Sequence, residues 1–134
     1  MATVNIRGKE FPLCLTVAAV DEINQKCGSI KNIGTFLDGA SEKHSFNLGA
    51  ATRNTAWILA LLLREGEENR LICAKFDGCD VNRSEVPDEV ALGHLLTMAQ
   101  ALECRNAVLS AVSESLHQEI EASHSKNAES TEQK

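Results

Sequence analysis

Tyrosine is absent from this chain, tryptophan occurs once and phenylalanine four times. So few flat rings leave no row of stacking platforms for single-stranded bases. A Lys/Arg-rich run is missing as well. Thirteen basic side chains face 19 acidic ones, for a formal net charge of −6. Binding to a phosphate backbone needs a concentrated positive face, so nucleic acid is not an expected partner. There is also no long hydrophobic run. The densest, AWILALLL at Ala56–Leu63, spans about 12 Å as a helix, against a hydrocarbon core of about 30 Å. It reads as a buried core helix, and no membrane contact is expected.

The opening residues lack the basic start and apolar block of a secretory signal. The cysteines Cys14, Cys27, Cys73, Cys79 and Cys104 are odd in number. Free thiols in a reducing cytoplasm are the expectation.

Catalytic patterns are equally scarce. Cys73 and Cys79 lie six apart with His94 downstream, whereas structural zinc uses two close pairs at gaps of two to four. No metal and no cofactor are expected. No Cys starts a capped helix, and Cys27 ends one, where the dipole disfavours a thiolate. The adjacent pairs Asp21-Glu22, Glu67-Glu68 and Asp88-Glu89 diverge by about 100° on a helix; they read as solvated faces. Gly8 and Gly66 lack the flanking glycines of a phosphate loop. The chain is therefore not expected to be an enzyme, and a binding or assembly role is left by elimination.

What is present is a clear order of elements. Val4 and Ile6 alternate with polar residues, Arg7-Gly8-Lys9-Glu10 turns, and Phe11, Leu13 and Leu15 alternate again. Period two on both sides of a turn predicts a β-hairpin over 3–16, with Pro12 on an edge. Thr16 is a good N-cap for a helix over 17–27 carrying Val17, Val20, Ile23 and Cys27, stopped by Gly28. Ser29 introduces a second helix, 30–37, with Ile30, Ile33 and Leu37. A third runs over about 47–65, with Gly66 as its stop. Residues 67–86 are ambiguous, because RLICAKF is too short for periodicity to separate strand from helix. Pro87 suits the first position of a further helix, with Asp88 and Glu89 in its first turn. Thr97 either caps a new helix or continues this one. The predicted fold is α+β and mainly α-helical: a hairpin packed on a small helical bundle with a long C-terminal helix over about 87–122. Residues 1–122 form one domain, and 123–134 form a disordered polar tail.

The stripe from Met98 to Ile120 predicts about 25 helical residues, roughly 38 Å, longer than the ~30 Å of a small domain. Its distal side chains Leu109, Val112, Leu116 and Ile120 are the candidate partner-binding residues.

The opening VNIRGKEFPLCLTVAAVDEINQKCG, Val4–Gly28, resembles the tail assembly chaperones of long-tailed bacteriophages and related prophages. Those proteins begin with a short strand, a turn of the GKEF-P-L or GKEYPL kind, a second strand and a small helix of the ALDEIEEKFG kind. TAWILALLL, VPDEVALGHLL and MAQALECRNAVLSAV continue the resemblance more loosely, to about Leu116. Cys73–Val81 departs from the family pattern, and no invariant functional residue is matched. The resemblance implies a non-enzymatic chaperone of the host bacterial cytoplasm, absent from the mature virion. Its partners would be the tape measure protein, a very long helical chain that it keeps soluble, and tail tube subunits that it helps recruit. It also implies a longer frameshifted form in many members. The alternative reading is a small helical adaptor or regulator, unrelated to tails, acting as a homo-oligomer (a dimer) through the same helix.

Overall fold

The computed structural model describes residues 2–117 in full and, beyond them, only the helical backbone to Glu132. Strands β1 (Thr3–Ile6) and β2 (Lys9–Pro12) pair antiparallel, Val4 opposite Phe11 and Ile6 opposite Lys9. Arg7 and Gly8 both have positive φ, 54° and 81°. This is the two-residue turn whose twist matches the flanking strands. The Asn5 carboxamide oxygen accepts the Gly8 N–H at 2.9 Å. Period two then puts Val4, Ile6 and Phe11 on one buried face. The hairpin is shorter than the predicted 3–16. Pairing ends at Pro12, although the Leu13 N–H still donates to the Ala2 carbonyl at 2.9 Å.

Helix α1 (Val17–Cys27) starts at Thr16, whose hydroxyl accepts the Ala19 N–H at 3.1 Å, and ends at Gly28. Its buried side is Ala19 and Ile23, four apart, and the predicted stripe member Val17 faces outward. A 3-10 turn, Ile30–Asn32, capped by Ser29, leads into α2 (Ile33–Leu37), so the expected helix over 30–37 is present in two pieces.

Helix α3 (Leu48–Phe76) is the axis of the fold and packs against α1, α2, β2 and both later helices. Ile58, Leu59, Leu61, Leu62 and Leu63 are all buried, because neighbours surround the helix there on every side. The predicted stop at Gly66 is wrong. The helix runs ten residues further, and RLICAKF is helical. Gly66 is needed for a different reason. A Cβ there would lie 2.7 Å from the Pro12 carbonyl oxygen, so only glycine lets β2 come this close to α3. The packing tolerates the roughly 1 kcal/mol that a mid-helix glycine costs.

The predicted single helix over 87–122 is also corrected. Helix α4 (Glu89–Leu95) is capped by Asp88, whose carboxylate accepts the Ala91 N–H at 2.8 Å. Pro87 therefore sits before the cap and not in the first helical position. Leu96 turns to extended backbone, ψ 133°. Helix α5 (Met98–Glu132) then starts at Thr97. Its hydroxyl accepts the Gln100 N–H at 3.3 Å, while the Gln100 side chain accepts the Thr97 N–H at 3.0 Å. This reciprocal pair is a capping box, and the T-x-x-Q spacing was visible in the sequence.

The architecture is an antiparallel hairpin packed on a mostly helical bundle with a long C-terminal helix. Helix α5 meets the core through Ala101, Cys104, Val108, Ala111 and Val112. Small side chains on α5 match the bulk on α3 and let the two helices pack densely. Ion pairs tie the layers at their rims: Glu22 of α1 to Arg64 of α3 at 2.5 Å, and Asp38 after α2 to Arg105 of α5.

Candidate partner-binding surface

The residues expected to meet a partner do not form an open stripe. Val112 is 2% exposed and belongs to the core. Leu109 and Leu116 are half-buried and pack against that core. Ile120 lies outside the fully described residues, as does the expected disordered tail at 123–134. The reason is rotational: the stripe's spacing is helical, but the face carrying Val108 and Val112 turns toward α3. The helix length suggests that its distal side chains leave the body, but as far as Leu116 they still pack on the core.

Helix α3 also reaches past the core. Its 29 residues extend about 43 Å, beyond the ~30 Å of a small domain. Its last turns leave the core and carry Ile72, 52% exposed, and Phe76, 87% exposed. The two are four apart and share a face. The chain then turns at Asp77-Gly78 and runs back along α3. Two contacts fix this return strap. Arg70 donates to the Asn82 carbonyl at 2.7 Å, and Arg83 donates to Glu68 at 2.5 Å. Val81, next to Asn82 in the strap, is 41% exposed. The other large exposed apolar side chains among the described residues are Val17, Phe46, Leu48, Val90, Met98 and Leu102. Of these, Phe46 and Leu48 flank the N-cap of α3 and are each about half exposed, less open than Phe76.

The strap depends on carboxylates that the sequence reading placed in solvent. Glu67 is 7% exposed. Both its oxygens accept from Arg70, which uses the same guanidinium to hold Asn82. Arg83 keeps the Glu68 carboxyl below the usual carboxylate range, chiefly by hydrogen bonding. Glu65 is also buried and accepts the Thr16 hydroxyl at 2.6 Å. One threonine thus caps α1 and supplies a donor to a buried carboxylate of α3. The helix beyond Gly66 was not expected, so the roles of Glu67 and Glu68 could not be read from spacing.

The last carbonyls of α3 are capped by the turn that follows. The Cys73, Ala74 and Lys75 carbonyls already accept the N–H groups of Asp77, Cys79 and Gly78. Cys73 and Cys79 are exposed free thiols, while burial pushes the thiols of Cys14, Cys27 and Cys104 up. His94 is exposed, and no cluster of His, Cys, Asp or Glu suited to a metal occurs among the described residues. No helix among them is long and apolar enough to cross a membrane. What the tip offers is therefore apolar contact area on a rigid helical support. Comparison with protein-family models, with curated proteins and with solved structures finds no match.

Proposed function

We propose that this chain is a phage tail assembly chaperone that binds the tape measure protein and keeps it soluble while tail tube subunits are recruited. The client class rests on the resemblance of Val4–Gly28 to that family. The observation that carries the binding surface is the exposed Ile72–Phe76 pair on the projecting end of α3. A long helical client with exposed apolar stripes needs a partner that offers apolar area without offering so much that it aggregates itself. Phe76 and Ile72 together present on the order of 300 Å², the lower end of functional patches on monomers. Such an area suits a contact that forms and releases, and a standard stable interface takes about 800 Å² per partner. The −6 charge supplies the solubility that a holdase lends to its client.

The test is co-expression with the tape measure protein encoded in the same genome. With the wild-type chain, the client stays in the soluble fraction. With Ile72→Asp/Phe76→Asp it pellets, while Val17→Asp, at an equally exposed apolar position on α1, leaves it soluble. Equal solubility with all three would remove the surface, and no solubilisation by the wild-type chain would remove the function. Leu116→Asp is a poor probe, because Leu116 packs on the core and its loss would act through stability.

A further inference from the structure

We infer that the open edge of β1 pairs with β1 of a second copy of this chain, joining two hairpins into one four-stranded antiparallel sheet. The inference goes beyond the chaperone reading and does not depend on it. The two edges of the hairpin differ. Ile6 and Lys9 flank the two-residue turn, and the Leu13 N–H donates to the Ala2 carbonyl at 2.9 Å. The pairs Ile6–Lys9, Val4–Phe11 and Ala2–Leu13 are therefore the hydrogen-bonded ones. The backbone groups of the alternate residues point away from the ladder. On β2 those residues are Glu10 and Pro12. Proline has no N–H to offer, and the Pro12 carbonyl faces Gly66 so closely that a Cβ there would not fit. On β1 they are Thr3 and Asn5. Both are exposed, and their outward N–H and C=O groups have no hydrogen-bond partner among the described residues. The strand, TVNI, also lacks the lysine, proline or bulge that commonly blunts an edge. The sheet can thus grow on the β1 side alone.

An unpaired ladder edge calls for an extended strand, and the residues on this one select its own copy. Antiparallel pairing about a twofold axis at Val4 sets Thr3 of each copy opposite Asn5 of the other, each pair exchanging both its N–H···O bonds. Val4 then meets its own copy, and Ala2 meets Ile6. Apolar stands opposite apolar on one face and polar opposite polar on the other, with no charges opposed. A slip of one residue would set Thr3 against Val4 and break the face match. The contact is small, below the roughly 1,200–2,000 Å² of a stable interface, and each copy carries a charge of −6. The dimer is therefore weak, populated at about 100 µM chain and lost on dilution.

Sedimentation velocity of the full chain, at about 150 mM salt to screen the net charge, is the test. The mass is expected to rise from that of a monomer at about 5 µM to nearly twice that at about 200 µM. At the higher concentration the Thr3 and Asn5 amides become protected from hydrogen exchange, while those of Val4 and Ile6, already in the ladder, change little. Thr3→Pro removes one outward donor, keeps the β1–β2 ladder, and leaves the chain monomeric with unchanged circular dichroism. A chain assembled by ligation at Cys14, with the Asn5 backbone amide N-methylated, is also monomeric; it decides the matter if Thr3→Pro folds poorly. Phe76→Ser, at the far α3 tip, dimerises like the wild type. A wild-type chain still monomeric at about 200 µM, a dimer that survives both edge changes, or one that Phe76→Ser dissolves would overturn the inference. So would a monomer whose Thr3 and Asn5 amides gain protection only when the tape measure protein is added, which would give the edge to that partner. Absence of the dimer leaves the solubility test of the chaperone reading unaffected, so the two fail separately.

Discussion

Replacing Gly66 with alanine separates two explanations of a glycine in the middle of a helix. If it were merely tolerated, Gly66→Ala would stabilise the protein by up to about 1 kcal/mol, the helical advantage of alanine. The structure points the other way. The new Cβ would stand 2.7 Å from the Pro12 carbonyl oxygen, so β2 and α3 must part by several tenths of an ångström. Phe11 and Leu13, on either side of Pro12, are both buried, so that movement disturbs packing as well as one contact. Overpacking of this kind costs about 1–3 kcal/mol. Set against the full propensity gain, the net effect is a destabilisation of up to about 2 kcal/mol, or several degrees in Tm. Gly93 in α4 is the control: a Cβ there meets nothing within 4 Å, and Gly93→Ala is expected to stabilise by up to about 1 kcal/mol. Urea denaturation followed by far-UV circular dichroism measures both. A Gly66→Ala protein stabilised as much as Gly93→Ala would refute the close approach of β2 to α3.

Thr16→Ala removes a helix cap worth about 1 kcal/mol and a donor to the buried Glu65 carboxylate worth about 1–3 kcal/mol. A combined loss of about 2–4 kcal/mol is expected in the same denaturation assay, with Thr16→Ser largely restored. The Glu68 carboxyl is held low by Arg83. Its tether is therefore complete above the ordinary glutamate range and lost as the pH falls through the lowered value. Amide exchange in residues 79–85 should rise on acidification relative to the rest of the fold, and Glu68→Gln should erase that pH dependence; a flat profile in the wild-type chain would count against the strap. Timed alkylation read by mass spectrometry should modify the exposed Cys73 and Cys79 first. Cys104 should be last, because burial raises its pKa and shields it.

The elements that could be read from the sequence are those whose determinants are local. The hairpin follows from period-two alternation around Arg7-Gly8, and α1 follows from Thr16 and Gly28. The errors came from residues that answer to distant partners. Gly66 looked like a helix stop because glycine favours that position, but its reason is Pro12, 54 positions earlier in the chain. The break at Leu96 was hidden by the continuous stripe of Leu92, Leu95, Leu96 and Met98, although Thr97 and Gln100 marked it. The candidate surface failed in a similar way. Spacing shows that α5 is amphipathic, but which side is buried depends on how it docks on the rest of the fold, and Cys104, Val108, Ala111 and Val112 are buried while Leu109 is only half-buried. The exposed tip at Ile72 and Phe76 follows only once α3 is known to continue past Gly66, and that knowledge is tertiary.

The account stands most directly on what touches Phe76. A photo-crosslinking amino acid placed at position 76, and a control placed at Val17, can be activated in cells assembling tails and the products identified by mass spectrometry. If the α3 tip is the client surface, position 76 gives a covalent adduct with the tape measure protein and position 17 gives none. An adduct from position 17 alone, or none with the tape measure protein from either position, would contradict it.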